Sequence, residues 1–215
     1  MKQKSIYVTA ILALVAAIAF VSFYFTSQDS QKSQSASVDS AVLVRSHAPS
    51  MGKADAPVVI VEFLDPACGT CSTFYPLVKQ LMAQHPDRIR LVMRYAPFHK
   101  GSDKVVTVLE AARRQGKFWP TLEALLSSQA DWVSNHTANV DRVWPHLNQA
   151  GLNMEQLAID MTSPNVQQVI AQDLTDANTL GVSQTPEYFV NGKPLPTFGF
   201  DQLKQLVNAE LAAKH

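Results

Sequence analysis

The feature that most constrains this chain is a continuous, largely β-branched run, Pro57-Val58-Val59-Ile60-Val61-Glu62-Phe63, leading within a few residues into Cys68-Gly69-Thr70-Cys71. A run of this kind suits a buried central strand. The residues that follow, Ser72 to Gln84, carry a helical pattern, with Pro76 inside it as the source of an expected kink. Cys68 therefore closes a strand-to-helix connection, and its sulfur is expected at a helix N-terminus. Unpaired N–H groups and the positive end of the helix dipole stabilise a thiolate there. A free cysteine titrates near ~8.5, whereas helix-start cysteines in such motifs fall to about 3.5–7.5. Cys71 lies one turn on along the same face, within disulfide reach and more buried. Such a pair cycles between dithiol and disulfide with little backbone motion: Cys68 attacks or is attacked, and Cys71 resolves the mixed disulfide.

The chain has 215 residues and only these 2 cysteines, which excludes a disulfide-dense scaffold and any competing internal bridge. Two plainer readings of the pair exist. Half a zinc site would need two further ligands, but there is no second cysteine pair, and His47, His85 and His99 lack ligand spacing. An inert structural disulfide is the other, although a loop this small staples no distant segments. The 18 Lys and Arg balance the 18 Asp and Glu, which argues against a nucleic-acid binder. The length suits one domain plus accessories.

Ile6 to Phe25 is apolar apart from Thr9 and Ser22 and follows Lys2 and Lys4. At ~1.5 Å per residue it is long enough to cross a bilayer core of ~30 Å. It exceeds the usual signal h-region and ends in bulky Phe23, Tyr24 and Phe25. The nearest small-x-small triplet, around Ser35-Ala36-Ser37, lies well past it, so an uncleaved signal anchor is expected over residues 1–25. The positive-inside bias keeps Lys2 and Lys4 cytoplasmic and places the remainder outside. Without those two lysines, 16 basic side chains stand against 18 acidic, a net of −2. Residues 26–40, rich in Ser and Gln, read as a flexible tether, with the folded domain over 41–215.

Within that domain Ala41–Arg45 is compatible with a first strand, and Ile89–Tyr95 reads as another. From Lys104 to Leu180 the pattern is helical throughout, with stretches at Phe118–Ser128, Val140–Ala150, Met154–Met161 and Val166–Leu180. Ser163-Pro164 opens a helix and Gly181 closes it. Strand residues return at Glu187–Val190, Asn191-Gly192 signals a hairpin into Lys193-Pro194-Leu195, and Phe200–Ala213 is a closing helix. Thr185-Pro186 sits just before a strand. Ordinary turn chemistry would account for it. A cis bond is the favoured alternative, since beside a cysteine pair it removes a backbone N–H and presents a neighbouring backbone group to a substrate strand.

The combination Val59-Ile60-Val61-Glu62-Phe63, Cys68-Gly69-Thr70-Cys71, Gly181-Val182-Ser183-Gln184-Thr185-Pro186 and Phe189-Val190-Asn191-Gly192 resembles the DsbA family of thiol:disulfide oxidoreductases, over about Ala54 to Ala213. The resemblance implies an α/β thioredoxin-like fold with a helical insertion at about 101–181, preceded by one transmembrane helix. It makes Cys68 the nucleophile, Cys71 the resolving thiol, Pro186 the cis-proline with Thr185 beside the disulfide, and Glu62 the buried acid beneath the site. Burial of that carboxyl raises its pKa and suits it to relay a proton to or from Cys71; an edge-exposed or Lys-paired Glu without a chemical role is the plainer alternative. Gly69-Thr70 stand where many oxidising members carry Pro-His, so this pair tunes the site differently. Gln184 replaces a glycine common in relatives.

The implied function is an extracytoplasmic disulfide exchange enzyme, anchored by a single pass in the inner membrane, with disulfide donor as the leading reading. An isomerase or reductase linked to stress or copper tolerance, or a redox-inert substrate-binding module, are the alternatives. No metal and no cofactor beyond the Cys68–Cys71 disulfide is expected. The partners would be cysteine-containing proteins and a recycling membrane protein, either a quinone-linked oxidase (DsbB-like) or a thiol transporter (DsbD-like). His99 reads as an exposed loop residue, and Trp119, Trp132 and Trp144 as core or groove-lining. Asp65 would either raise the Cys68 pKa by like-charge repulsion or serve the helix entrance.

Overall fold

The computed structural model describes residues 38–214. The expected span at Ile6–Phe25 and nearly all of the tether lie outside them. Among the described residues no helix is long and apolar enough to cross a membrane.

Five strands make the main sheet. They are β1 (Ser50–Met51), β2 (Val58–Leu64), β3 (Ile89–Tyr95), β6 (Glu187–Val190) and β7 (Lys193–Pro194), in the order β1-β3-β2-β6-β7. The β2–β3 pair is parallel, and the other pairs are antiparallel. Helix α2 (Gly69–Gln84) makes the crossover between the two parallel strands, as parallel pairing requires. The β6–β7 turn uses Asn191 at φ 48° and Gly192 at φ 83°, the left-handed geometry that an Asn-Gly hairpin supplies. Helix α8 (Phe200–Ala213) packs on β2 and β6.

Strand β2 alternates cleanly. Val58, Ile60 and Leu64 join Leu91, Met93 and Tyr95 under Cys71, Tyr75, Val78 and Leu81 of α2 in the larger core. Val61 and Phe63 face the other way, onto Leu43, Val92, Ala177, Val182 and Phe189. Glu62 shares the parity of Ile60 and Leu64, so the pleat turns its carboxyl toward α2 and the cysteines.

Between β3 and β6 lie α3 (Ser102–Arg114), α4 (Phe118–Ser127), α5 (Gln129–Trp132), α6 (Met154–Met161) and α7 (Pro164–Thr179). The helical expectation for this block holds in most places and fails in two. Val133–Ser134 (β4) and Thr137–Ala138 (β5) form a two-stranded hairpin, turned by Asn135 and His136 at positive φ. Residues 140–150 wind as two 3₁₀ segments, Val140–Arg142 and Trp144–Ala150, the second with Pro145 in its first turn. Gly101, at φ 78°, lets the hairpin come close: a Cβ there would meet the Ala138 carbonyl oxygen at 2.5 Å.

Two further differences concern the start of the domain. Ser40–Leu43 is a short helix, α1, not a strand; Asp39 caps it by accepting from the Ala41 N–H at 2.9 Å. A five-residue apolar run carries no periodicity that separates the two states. Residues 38–40, assigned to the tether, already touch the fold: the Val38 N–H donates to the Gly192 carbonyl at 2.8 Å. That contact lies at the end of the sheet away from the cysteines, beside the first residues of β2.

On the reverse face Arg94 is fully buried. Its guanidinium donates to Asp173 (2.8 Å), Asp176 (2.6 Å) and the carbonyls of Val42 (2.6 Å) and Leu43 (2.9 Å). Arg45 forks onto Asp176 at 2.8 Å, and His47 meets Asp173 at 2.6 Å. One ionic node thus joins α1, β3 and α7.

Candidate active site

The loop from β2 to α2 is organised by Asp65, which is fully buried. Its carboxylate accepts from the Ala67 N–H (2.8 Å), the His99 N–H and Nδ1 (each 2.7 Å) and the Ser102 hydroxyl. Its carbonyl accepts from the Cys68 N–H at 3.0 Å. Asp65 therefore holds the helix entrance, the second of the two roles open to it. His99 is not a free loop residue. Its side chain is 21% exposed, bonded to Asp65 and stacked on His136 at 5.7 Å between ring centroids.

From the other side the inserted helices grip the same loop. Gln129 of α5 donates through Nε2 to the carbonyls of Pro66 (2.8 Å) and Cys68 (3.0 Å). Ser72 of α2 donates to Leu126 of α4 at 3.0 Å. Trp132 is core, its Nε1–H bonded to Leu125 at 3.0 Å; Trp119 and Trp144 pack at the core's margin.

Cys68 is the N-cap of α2 and Cys71 ends up fully buried in the first turn; both are free thiols here. The Thr185–Pro186 bond is cis, and Thr185 offers its carbonyl to Cys68 Sγ at 3.1 Å. The two sulfurs have opposite acidities. The Cys71 thiol, the Thr185 side chain and the N–H groups of Cys71 and Thr70 stabilise the Cys68 thiolate and bring its pKa down to about 5, against the opposing effect of burial. Burial pushes Cys71 well up, and the Cys68 and Glu62 charges add to it. At the helix start Gly69 is exposed and Thr70 half-buried, and Thr70's contribution runs through its backbone N–H.

Glu62 has no exposed surface and neither oxygen has a hydrogen-bond partner. It is neither at an edge nor paired with a lysine. Burial raises its pKa to about 8; the nearby Tyr188 hydroxyl opposes the rise and Cys68 adds to it. Phe74, three residues past Cys71, stacks on Phe198 at 5.4 Å, and Phe198 is 44% exposed. A cleft of about 350 Å³ opens between α2 and α4, walled by Tyr75, Pro76, Lys79, Glu123 and Leu126, but the cysteines do not line it. Among the described residues no group of three or more His, Cys, Asp or Glu side chains is placed to hold a metal ion.

The structure thus brings Cys68, Cys71, Glu62, Thr185 and Pro186 to one end of the sheet. Sequence reasoning missed Gln129 and Tyr188. The Tyr188 position could have been found from β-strand parity against Glu62. Nothing local singles out Gln129, which is 61 residues from Cys68.

A sequence profile of the family described as Thioredoxin matches residues 45–209. The Na(+)/H(+) antiporter NhaA of Herminiimonas arsenicoxydans is 31% identical over 144 residues, 67% of this chain and 22% of that protein. The chain spans about a fifth of the length of the curated antiporters it matches. A probable disulfide bond formation protein D of Bacillus cereus is 28% identical over 174 residues, 75% of this chain and 78% of that one. Among solved structures, a thioredoxin-like oxidoreductase from Silicibacter pomeroyi DSS-3 superposes with a TM-score of 0.70 at 30% identity, over 82% of this chain and 99% of that one. Oxidised BdbD from Bacillus subtilis reaches 0.71 at 22% identity, over 83% and 98%. Because the profile runs from Arg45 to Ala209, across the sheet, the cysteine helix and the inserted helices alike, the chain belongs to the thioredoxin family.

Proposed function

We propose that this protein is a thiol:disulfide oxidoreductase acting on cysteine-containing proteins, with the Cys68–Cys71 pair as its redox group. The observation that carries this reading is the asymmetry of the two sulfurs: Cys68 at the N-cap of α2, 6% exposed and with a pKa of about 5, and Cys71 fully buried behind it and held as a thiol. Cys68 is then the sulfur that forms and breaks the mixed disulfide, and Cys71 the one that resolves it. Thr185 and Pro186 bind the substrate strand: Thr185's carbonyl, 3.1 Å from Cys68 Sγ, is free to accept from a substrate backbone once that sulfur is in a disulfide. Gly69 and Thr70, the two residues between the sulfurs, tune the pair, Thr70 through its helix-start N–H.

The direction is donation. A thiolate stabilised in the dithiol form favours the reduced enzyme, which makes the enzyme's disulfide a stronger oxidant. In each turnover a substrate thiolate attacks Cys68 Sγ and the Cys68–Cys71 bond breaks with its electron pair on Cys71. A second substrate thiolate then displaces Cys68, releasing an oxidised substrate and a dithiol enzyme. A membrane oxidase that passes the electrons on would regenerate the disulfide. Residues 1–25, as a signal anchor followed by a tether, would hold the domain on the outer side of the inner membrane, where disulfides persist.

Turnover of a dithiol peptide to its disulfide tests the reading. Cys68→Ser is expected to abolish it, and Cys71→Ala, given the disulfide form of the peptide, to trap a mixed disulfide as Cys68 attacks the peptide's S–S bond and expels one of its sulfurs as a thiolate. Retained turnover in Cys68→Ser would defeat the proposal. A reduction potential for the pair nearer ~−120 mV than ~−270 mV supports donation; the converse assigns the protein to reduction or isomerisation.

A further inference from the structure

Both carboxyl oxygens of Glu62 and the hydroxyl of Tyr188 are buried with no hydrogen-bond partner. The two residues are directly opposed in the β2–β6 register, so their side chains rise from one face of the sheet about 4.5–5.5 Å apart at Cβ. That face is the one covered by Cys71 and α2. An unpaired buried carboxyl and an unpaired buried phenol are each costly, and native folds leave few of either. Two such groups on adjacent strands beneath a redox pair make a single device.

We propose that Tyr188 is a positioning residue for Glu62: its O–H is the donor to which the Glu62 carboxylate turns when it has given its proton to Cys71. The inference rests on the exchange reading above. In the oxidising direction, the Cys71 thiolate expelled when the Cys68–Cys71 bond breaks takes a proton from the Glu62 carboxyl. The carboxylate left behind is then held by the Tyr188 O–H until solvent reprotonates it. In the reverse direction the carboxylate accepts the Cys71 proton as Cys71 attacks the mixed disulfide. The groups that face Glu62 are Cys68 at the α2 N-cap, Cys71 and Tyr75 of α2, and Tyr188 of β6; Met93 lies opposite on β3. None is a cation. Among the described residues the charge has a phenol to turn to and no ammonium or guanidinium beside it.

Tyr188→Phe removes the hydroxyl and keeps the ring. With ¹³C-labelled glutamate in the dithiol protein, the Glu62 titration midpoint is expected to move up by about one pH unit, the loss of one charge-assisted hydrogen bond. Exchange with a dithiol peptide at neutral pH is expected to slow by roughly three- to tenfold, since Glu62 then gives up its proton to Cys71 less readily, without a fall in melting temperature. A merely structural tyrosine would lower the melting temperature and leave the midpoint alone. Replacing Tyr188 with a fluorotyrosine, a stronger donor, is expected to move the midpoint down and provides the test if Tyr188→Phe fails to fold. An unmoved midpoint overturns the proposal even if the wild type turns over normally. A wild type that never exchanges with the peptide overturns the oxidoreductase reading instead, and the relay with it.

Discussion

Two residues of one sheet-and-helix junction have pKa values moved in opposite directions, and pH separates their contributions to stability. Cys68 binds its proton less tightly folded than unfolded, so the dithiol form gains stability as pH rises above about 5. Glu62 does the reverse. Its carboxyl titrates near 8 in the fold against 4.5 in an unfolded chain. Below pH 4.5 both states are protonated and nothing is lost; between 4.5 and 8 the unfolded chain has released a proton that the fold retains. The Glu62 contribution is therefore present at low pH and lost as pH rises through about 8. Glu62→Gln cancels that dependence. Chemical denaturation of the dithiol protein is expected to show the variant gaining on the wild type between pH 4 and pH 8, while the Cys68 contribution is common to both. A stability difference that stays flat over this range would contradict a neutral, unpaired carboxyl. The burial of Glu62 was legible in the continuous apolar run Val58–Leu64, whereas the face it points to came only from the family resemblance, since both faces of that strand are apolar. The absence of a partner was not, because that depends on what every other strand and helix brings.

Among the elements, the cysteine loop is held between two structures that meet only in the fold. Asp65 ties it to the start of α3, and Gln129 of α5 holds the carbonyls of Pro66 and Cys68. The inserted helices thus set the backbone from which Cys68 hangs. Gln129→Ala keeps the helix propensity of α5 and removes two part-buried hydrogen bonds, each worth about 0.5–1.5 kcal/mol. The amide hydrogens of Ala67 and Cys68, bonded to Asp65 in the wild type, are expected to exchange about tenfold faster, while Val78 and Leu81 further along α2 remain unchanged. Unaltered exchange at Cys68 would show that Asp65 alone fixes the loop. Elements with local signals were readable in advance. Ser163-Pro164 starts α7, Gly181 in a left-handed conformation follows it, and Asn191-Gly192 turns β6 into β7. Where signals were tertiary they were not. The β4–β5 hairpin is turned by Asn135-His136 without a glycine, and its Ala138 N–H is satisfied by Lys100 at 2.8 Å, a pairing across the fold.

Across the whole molecule, the face opposite the cysteines is fastened by charge. Arg94, Asp173 and Asp176 are buried together, and Arg45 and His47 close the node from the α1 side. The fork from Arg45 is the largest reason Asp176 titrates down at about 2, with Arg94 adding to it. Arg94 is separated from its carboxylates by 79 and 82 residues, so no window of sequence could announce the contact; on a strand it reads only as an interruption of an apolar run. A buried ion pair is weak evidence of net stability, but removing one partner leaves uncompensated charge and costs about 3–5 kcal/mol. Arg94→Met, close in volume, is expected to lose about that much in chemical denaturation and to release the α1 segment, whose Val42 and Leu43 carbonyls lose their donor. The node lies on the face of the sheet away from α2, so the pH midpoint for alkylation of Cys68 is expected to stay near 5 in the variant. A loss below about 1 kcal/mol would mean that Arg45 and His47 satisfy the two aspartates unaided. A shifted Cys68 midpoint would mean that strain passes through β2 from one face to the other, and the separation of stabilising and reactive faces would fail.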